Sequence, residues 1–348
     1  MARLRAFMAW GKHMKLASLK TSPLHGNEEV IRDGTLVVVD KSISYFVDAS
    51  HIAPNLQLAI ENWNNCETAL QDLYETLNID NKVGTALQIS DLASPLPRAY
   101  QWLDGSAYLS HVERVRKARG AEMPPSFLND PLMYQGGSDH FIGPNDPIYV
   151  ADEAYGIDFE SEVGIITNDV PMGVVPSRAA ENIKLIVLIN DVSLRNLIPS
   201  ELSKGFGFIH GKPPTTFSPV AITPDELGDA WLDTKVNLPL TSTYNNSLFG
   251  NPNAGDDMQF NFAELISHAA KTRPLRAGTI IGSGTVSNND ISTGCSCLVE
   301  KRVLEIIESG EAKTPFMKFG DTIHIEMLDG KKQSIFGAID QEIRLWKN

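Results

Sequence analysis

The sequence has few cysteines, no long apolar run and a shortage of positive charge, and each of these features excludes a class of protein. Three cysteines in 348 residues are too few for a disulfide scaffold, so we expect a reducing, cytoplasmic location. The absence of a run of about 18 apolar residues predicts no membrane span. Lys and Arg number 30 against 43 Asp and Glu, and the net charge of −13 argues against nucleic-acid binding. A small molecule is therefore the default partner.

The composition is that of a globular protein with a real core. Apolar residues make up 42% of the chain and charged residues 21%, and the length suits one large or two ordinary domains. The segment before Met14 is basic, and its apolar stretch is too short for a signal peptide. Because Met14 begins the first strand-like pattern, we interpret residues 1–13 either as the product of an upstream start or as an extension that is not native.

Periodicity and turn residues divide the chain near residue 95. Pro95 and Pro97 force extended backbone there, which predicts an N-terminal domain of residues 1–95 and a second domain of residues 96–348. In the first domain we predict strands at 16–19, 36–40 and 43–47 and helices at 55–64 and 67–77. In the second we predict strands at 158–167, 183–191, 275–287, 298–307, 322–328 and 335–345, and helices at 114–119, 177–182 and 261–271.

An acidic stretch gives the first indication of chemistry. Asp158, Glu160 and Glu162 alternate along a predicted strand, so they would share one face and repel one another unless a cation lies between them. The next apolar run ends on Asp191, which supplies a further carboxylate at the end of a buried strand. Oxygen ligands favour Mg²⁺, Ca²⁺ or Mn²⁺ over zinc. The alternative is an edge strand with solvated acidic positions.

Other candidate residues have ordinary explanations as well. His111 starts a basic helical stretch and could be a cap or a surface residue. Lys212 lies between Gly211 and Pro213 on a stiff segment, yet surface lysines are common. The Cys295-Ser-Cys297 pair lacks the partners of a zinc site and is better explained as two small apolar residues on a strand.

Taken in order, these segments resemble the fumarylacetoacetate hydrolase family over most of the chain from about Pro95 onward. The matching motifs are Tyr108-x-x-His111 with Glu113 two residues on, the loop carrying Tyr134, the set Glu160, Glu162 and Asp191, the Gly211-Lys212 segment, the Ser283-Gly-Thr285 strand and, more loosely, Glu300.

The resemblance implies a β-rich α+β fold. A small N-terminal β-barrel-like domain, as in the longer, fumarylacetoacetase-like members, would precede a mixed β-roll catalytic domain of the fumarylacetoacetate hydrolase type. Relatives of this type are homodimers, so we expect a homodimer here.

The implied activity is metal-dependent hydrolysis of a carbon–carbon bond in a 1,3-diketo acid such as fumarylacetoacetate, in aromatic amino-acid catabolism. The resemblance implies catalytic roles for His111, Glu300 and Lys212, substrate contacts for Tyr108, Tyr134, Arg195 and Thr285, and metal binding by Glu160, Glu162 and Asp191, with Mg²⁺ the expected ion and Ca²⁺ or Mn²⁺ as alternatives. The same metal site could serve an acylpyruvate hydrolase, an oxaloacetate decarboxylase or a 2-oxo-dienoate hydratase or isomerase. A binding protein without activity is a third interpretation.

The sequence departs from the family pattern at positions that contact metal or substrate in relatives. Asp104 has the spacing from His111 of a fourth metal carboxylate, but the intervening residues differ, so its role is left open. Gly137 stands where the family has an arginine, and Ile198 where a glutamine is frequent. The substrate is therefore less determined than the fold.

Overall fold

A computed structural model describes residues 13–21, 30–118 and 124–347 of the chain. Almost all of the predicted extension, residues 1–12, lies outside the described residues. The described part folds into a strand-rich α+β structure with two larger sheets and several short helices.

The strands are β1 (Lys15–Thr21), β2 (Val30–Val39), β3 (Tyr45–Asp48), β4 (Thr85–Ala86), β5 (Trp102–Gly105), β6 (Met133–Gly136), β7 (Ile148–Val150), β8 (Ile157–Asp158), β9 (Ser161–Thr167), β10 (Ile183–Asn190), β11 (Ser193–Leu194), β12 (Thr216–Phe217), β13 (Ala221–Ile222), β14 (Trp231–Leu232), β15 (Lys235–Val236), β16 (Thr241–Tyr244), β17 (Ser247–Gly250), β18 (Ile280–Gly282), β19 (Thr322–Glu326) and β20 (Ile339–Leu345). The α-helices are α1 (Leu56–Glu61), α2 (Trp63–Ile79), α3 (Leu109–Ala118), α4 (Pro176–Ala179), α5 (Ile198–Leu202), α6 (Phe262–Ala269) and α7 (Leu298–Ser309).

The main sheet runs through both halves of the chain. Its strand order is β4-β3-β2-β1-β13-β10-β9-β18-β5-β6, with β12 also pairing with β10. Because β1 pairs with both β2 and β13, the sheet is continuous across the predicted boundary at residue 95. The boundary itself stays a prediction. A second sheet has the order β17-β16-β19-β20-β7, so the final strand β20 lies between β19 and β7 of this sheet and is not part of the main one.

Two apolar cores cover the two faces of the main sheet. Leu185, Val187 and Ile189 of β10 belong to the core that also contains apolar residues of α1 and α2, whereas Ile186 and Leu188 belong to the other core. This alternation is the period of two of a strand that is buried on both faces. It explains why the run at 183–190 is almost entirely apolar.

One helix contradicts the sequence prediction. The sequence analysis predicts a strand at residues 298–307, but these residues form α7. Glu300 and Val303, three residues apart on one face, are buried, and Leu298 is buried at the first position of the helix. Gly310 ends the helix in the left-handed conformation, with φ of 85°. Tertiary burial of one helical face outweighs the strand propensity of single residues.

Two further predictions need correction. Only Ile280–Gly282 of the predicted strand at 275–287 is a strand. Cys295 and Cys297 are buried free thiols, but they precede α7 and do not lie on a strand. The predicted helix at 261–271 is confirmed as α6, whose capping box joins Asn261 and Glu264. Within the described ranges, no helix has the length and apolarity needed to span a membrane.

Candidate metal centre and acid–base pair

Three buried carboxylates from neighbouring strands meet at one point of the main sheet. Asp104 lies on β5, Glu162 on β9 and Asp191 directly after β10, and each offers an oxygen within 4.8 Å of the others. Residue 282 of β18 pairs with Asp104 on one side and with Gly164 of β9 on the other. The strand order therefore brings together carboxylates that are far apart in the sequence. We call these three residues the carboxylate cluster.

The electrostatics of the carboxylate cluster favour a bound cation. Burial, and then the charge of Asp191, raises the pKa of Asp104 well above its ordinary value. Burial and the charge of Asp104 do the same to the pKa of Glu162. Neither oxygen of Glu162 has a hydrogen-bond donor among the described residues, although its side chain is fully buried. Unpaired buried oxygens of this kind are costly, and hard oxygen ligands suit a divalent cation. The donor set thus fits the ion that the sequence predicts.

Because Gly282 has no side chain, it leaves room for the carboxylate cluster. A Cβ atom at this position would lie 2.5 Å from Oδ1 of Asp104, 2.5 Å from the Trp102 ring and 3.1 Å from Oε2 of Glu162. Only glycine fits there without moving Asp104 or Trp102.

Gly282→Ala is expected to weaken metal binding about 10- to 100-fold, because the added methyl group displaces the Asp104 carboxylate. Isothermal titration with Mn²⁺ measures the effect. Gly330→Ala is the control, since a Cβ at position 330 meets no atom within 4 Å. Equal Mn²⁺ affinity in wild type and Gly282→Ala would show that Asp104 is not needed for binding.

Glu160 lies beside the cluster but is paired with two cations. Its Oε1 accepts a hydrogen bond from Nη2 of Arg195 at 2.6 Å, and its Oε2 accepts one from Nζ of Lys212 at 2.6 Å. Burial alone would raise the pKa of Glu160, but Arg195 and Lys212 outweigh it and hold that pKa below its ordinary value. Metal binding by Glu160 stays a prediction, and Asp104 holds the place in the cluster that the sequence left open.

Lys212 joins Glu160 to the cluster. Its Nζ also donates to Oδ2 of Asp191, which in addition accepts from the hydroxyl group of Tyr134. Oδ1 of Asp191 accepts from Oγ1 of Thr215 at 2.9 Å. Burial alone would lower the pKa of Lys212, but the charges of Asp191 and Glu160 raise it above its ordinary value. The ammonium group is therefore a fixed positive charge beside the cluster.

His111 and Glu300 form a second unit. Nδ1 of His111 and Oε2 of Glu300 are 2.7 Å apart, and Oε1 of Glu300 accepts from Ser287 Oγ at 2.8 Å and from Arg114. Burial alone would raise the pKa of Glu300, but the bonds from His111, Ser287 and the charge of Arg114 lower it. The ionised Glu300 thus accepts the Nδ1 proton of His111, which leaves Nε2 of the ring as a base.

Asp158 connects the two units. It accepts hydrogen bonds from Nε of Arg195 at 2.8 Å and from the amides of Leu298 at 2.7 Å and Val299 at 3.0 Å. These amides begin α7, the helix that carries Glu300. A carboxylate at a helix N-terminus is favourable, so Asp158 fixes α7 and orients Arg195 at the same time.

The remaining predicted site residues are less directly placed. Tyr108 is buried and its hydroxyl group donates to the carbonyl oxygen of Ala254 at 2.6 Å, so its substrate contact stays a prediction. Thr285 is buried and follows Gly284, whose amide donates to Asp104 at 3.1 Å. Glu113 is exposed. The alternative of a solvated acidic strand is excluded, because Asp158, Glu160 and Glu162 are all buried.

Sequence reasoning missed the residues that hold the site residues in place. Arg114 lies one helical turn after His111, and this spacing on a predicted helix could have identified it. Ser287 and Thr215 carry no comparable signal, because each reaches its partner only through the folding of distant segments.

The sequence matches two family descriptions that together span most of the chain. Residues 14–98 match "Fumarylacetoacetase N-terminal domain 2", and residues 101–344 match "Fumarylacetoacetate (FAA) hydrolase C-terminal". The chain belongs to the fumarylacetoacetate hydrolase family. The predicted family and fold class are thereby confirmed.

Individual relatives carry different activities. The chain is 30% identical over 159 residues to a 2,4-didehydro-3-deoxy-L-rhamnonate hydrolase of Sphingomonas sp. (strain SKA58). This match covers 45% of this chain and 53% of that protein. It is 26% identical over 224 residues to a mitochondrial oxaloacetate tautomerase of Xenopus laevis, covering 63% of this chain and 65% of that protein. The matched segments thus span between half and two thirds of these relatives.

A solved structure has the same fold over nearly the full length. Maleylpyruvate hydrolase from Sphingobium sp. SYK-6, in complex with manganese(II) and pyruvate, superposes with a TM-score of 0.62 at 16% identity. The match covers 96% of this chain and 100% of that one.

Proposed function

We propose that this protein is a metal-dependent hydrolase that cleaves a carbon–carbon bond in a 1,3-diketo acid such as fumarylacetoacetate. The observation that carries the proposal is the His111–Glu300 pair, 2.7 Å apart, in the same region as a buried carboxylate cluster. Asp158 accepts hydrogen bonds from the first amides of α7, which carries Glu300, and from Arg195, which also binds Glu160. The base and the metal-type centre therefore belong to one connected network of side chains.

The cation would be held by Asp104, Glu162 and Asp191, with Glu160 as a further ligand, and Mg²⁺ is the ion we expect. The manganese in the maleylpyruvate hydrolase structure supports a divalent ion. When bound, the cation supplies Lewis-acid polarisation of a carbonyl oxygen.

His111 would act as the general base. Glu300 holds the Nδ1 proton, so Nε2 takes a proton from a water molecule, whose oxygen adds to the carbonyl carbon next to the bond that breaks. The carbonyl carbon becomes a carboxylic acid, and the electron pair of the broken bond stays on the departing carbon. That carbon then takes up a proton from Nε2 of His111, so that one water is consumed.

Lys212 and its neighbours would bind charge on the substrate. The ammonium group of Lys212 would stabilise the negative charge that develops on the substrate oxygen. Arg195, Tyr134, Tyr108 and Thr285 would position the acid, although the described contacts of Arg195 are with Asp158 and Glu160. The proposed substrate class is a diketo or 2-oxo acid, and we propose that the protein works as a homodimer in the cytoplasm.

The test is a metal-supplemented assay on fumarylacetoacetate, acetylpyruvate and oxaloacetate, repeated after treatment with EDTA. We expect loss of the fumarylacetoacetate absorbance that stops with EDTA and returns with Mg²⁺. Turnover of acetylpyruvate alone would identify a smaller acylpyruvate as substrate. Turnover of oxaloacetate alone would overturn the proposed hydrolase activity and favour a decarboxylase or a tautomerase. The Xenopus relative is an oxaloacetate tautomerase.

A further inference from the structure

The segment before Lys212 is fastened by a buried carboxylate that belongs to neither unit of the site. Glu201 of α5 accepts hydrogen bonds from three consecutive amides, those of Ile209 at 2.9 Å, His210 at 2.8 Å and Gly211 at 2.8 Å. Its side chain is almost fully buried. Hydrogen bonds to an ionised acceptor are about twice as strong as neutral ones, so this arrangement is a firm attachment. We call it the Glu201 clamp.

The Glu201 clamp holds the residue next to Lys212 from both sides. The amide of Gly211 donates to Oε2 of Glu201, while its carbonyl oxygen accepts from the amide of Leu194 at 2.8 Å. A Cβ at position 211 would lie 2.7 Å from Ile198 and 2.9 Å from Oε2 of Glu201. Residue 211 is therefore packed against α5 so closely that only glycine fits.

The chain after Lys212 is also restrained. Two prolines follow it, and the next residue, Thr215, donates to Asp191 at 2.9 Å. Lys212 is thus held between the Glu201 clamp and a stiff segment bonded to the carboxylate cluster. Because a lysine side chain is long and flexible, its ammonium group can have a fixed place only if its backbone has one.

The residues that precede the Glu201 clamp in the chain form a surface loop. Residues 205 and 207 are glycines with φ of 72° and 93°, and Phe206 between them is 98% exposed. Phe208 packs edge-on against Tyr134, with 5.1 Å between ring centroids, and the Tyr134 hydroxyl group donates to Asp191. The clamp closes the base of this loop and lies between its exposed tip and Lys212.

We infer that Glu201 is a positioning residue for the reaction, which acts by fixing the backbone of Lys212 beside Glu160 and Asp191. The inference rests on the proposed function, since it assigns Glu201 a role through Lys212. It adds a residue outside the metal centre and outside the His111–Glu300 pair to those on which turnover depends.

The first measurement is hydrogen–deuterium exchange of the peptide that covers residues 206–212. In Glu201→Ala the amides of residues 209–211 lose their acceptor, so we expect this peptide to exchange faster while peptides of the main sheet are unchanged. Glu181→Ala is the matched control, because Glu181 is exposed and its carboxylate pairs with Arg178, three residues earlier in the chain. Unchanged exchange in Glu201→Ala would overturn the inference.

The second measurement is a kinetic double-mutant cycle with Lys212→Met. We expect Glu201→Ala to lower kcat about 10- to 100-fold, the size of effect expected from a small misplacement of a catalytic group, with a smaller change in KM. Glu201→Gln keeps one acceptor oxygen and should recover part of kcat. If Glu201 acts through Lys212, the double variant is no slower than Lys212→Met alone.

The outcomes separate failure of the inference from failure of the proposed function. An inactive Lys212→Met together with a fully active Glu201→Ala, or losses that multiply in the double variant, would overturn the role of Glu201 alone. Wild-type protein without turnover on any of the three assay substrates would overturn the proposed function. In that case the exchange experiment still decides whether the Glu201 clamp exists.

Discussion

Glu162→Gln is expected to abolish metal-dependent turnover and to make the metal-free protein more stable. The activity should fall by at least about 10³-fold, because a metal ion contributes several kcal/mol of transition-state stabilisation. The amide group of Gln can donate to Asp104, which replaces repulsion between two buried carboxylates by a hydrogen bond. A hydrogen bond to a charged group contributes about 1.5–3 kcal/mol, so we expect a gain in the free energy of unfolding of this order.

The raised pKa values of Asp104 and Glu162 determine how the stability of the metal-free protein changes with pH. The pKa values of Asp104 and Glu162 are raised above those of the unfolded chain, so the folded protein binds protons more tightly than the unfolded protein. In metal-free wild type, the stability that these two groups contribute is therefore fully present below the ordinary carboxylate pKa values of 3.8 and 4.5, and it is lost as the pH rises through the raised values. Thermal unfolding in EDTA across this range should show a shallower fall for Glu162→Gln.

Thermal unfolding with and without Mn²⁺ tests the metal part of this prediction. Wild type should gain stability with Mn²⁺, whereas Glu162→Gln should gain little. Glu308→Gln on the exposed face of α7 is the control and should behave as wild type. An equal gain in wild type and Glu162→Gln would show that the ion binds elsewhere.

His111→Asn should lower kcat about 10²- to 10⁴-fold, which is the usual contribution of a general base. The reason is that the Asn amide group can still donate a hydrogen bond to Glu300, but it has no counterpart of the basic Nε2 atom of His111 that takes a proton from water. Stabilisation by Mn²⁺ should be unchanged, because His111 is not part of the carboxylate cluster. The variant thus separates loss of the base from loss of the metal centre.

Steady-state kinetics at saturating Mg²⁺ and substrate measure this effect, with His51→Asn as the control because His51 is exposed. Glu300→Gln should give a smaller loss than His111→Asn, since the base remains but its Nδ1 proton is no longer bound by an ionised carboxylate. Wild-type kcat in His111→Asn would remove the general-base step from the proposed mechanism.

Local patterns in the sequence were sufficient for several elements of this protein. The apolar run at 183–190 predicts a strand buried on both faces, and the strand β10 is found there. The helix predicted at 261–271 is found as α6, which begins at the Asn261 capping box. Each of these features depends on neighbours within a few residues along the chain.

The sequence by itself thus determined the family, the strand-rich fold class and the types of residue in the site. Only the tertiary structure decided which of them meet. Asp104 joins Glu162 and Asp191 because β18 lies between β5 and β9, an order that no spacing in the chain specifies. Residues 298–307 form a helix and not a strand because one helical face is buried and Asp158 binds its first amides. The physical reason is the same in both cases: local propensities are weak, and burial and pairing with distant segments outweigh them.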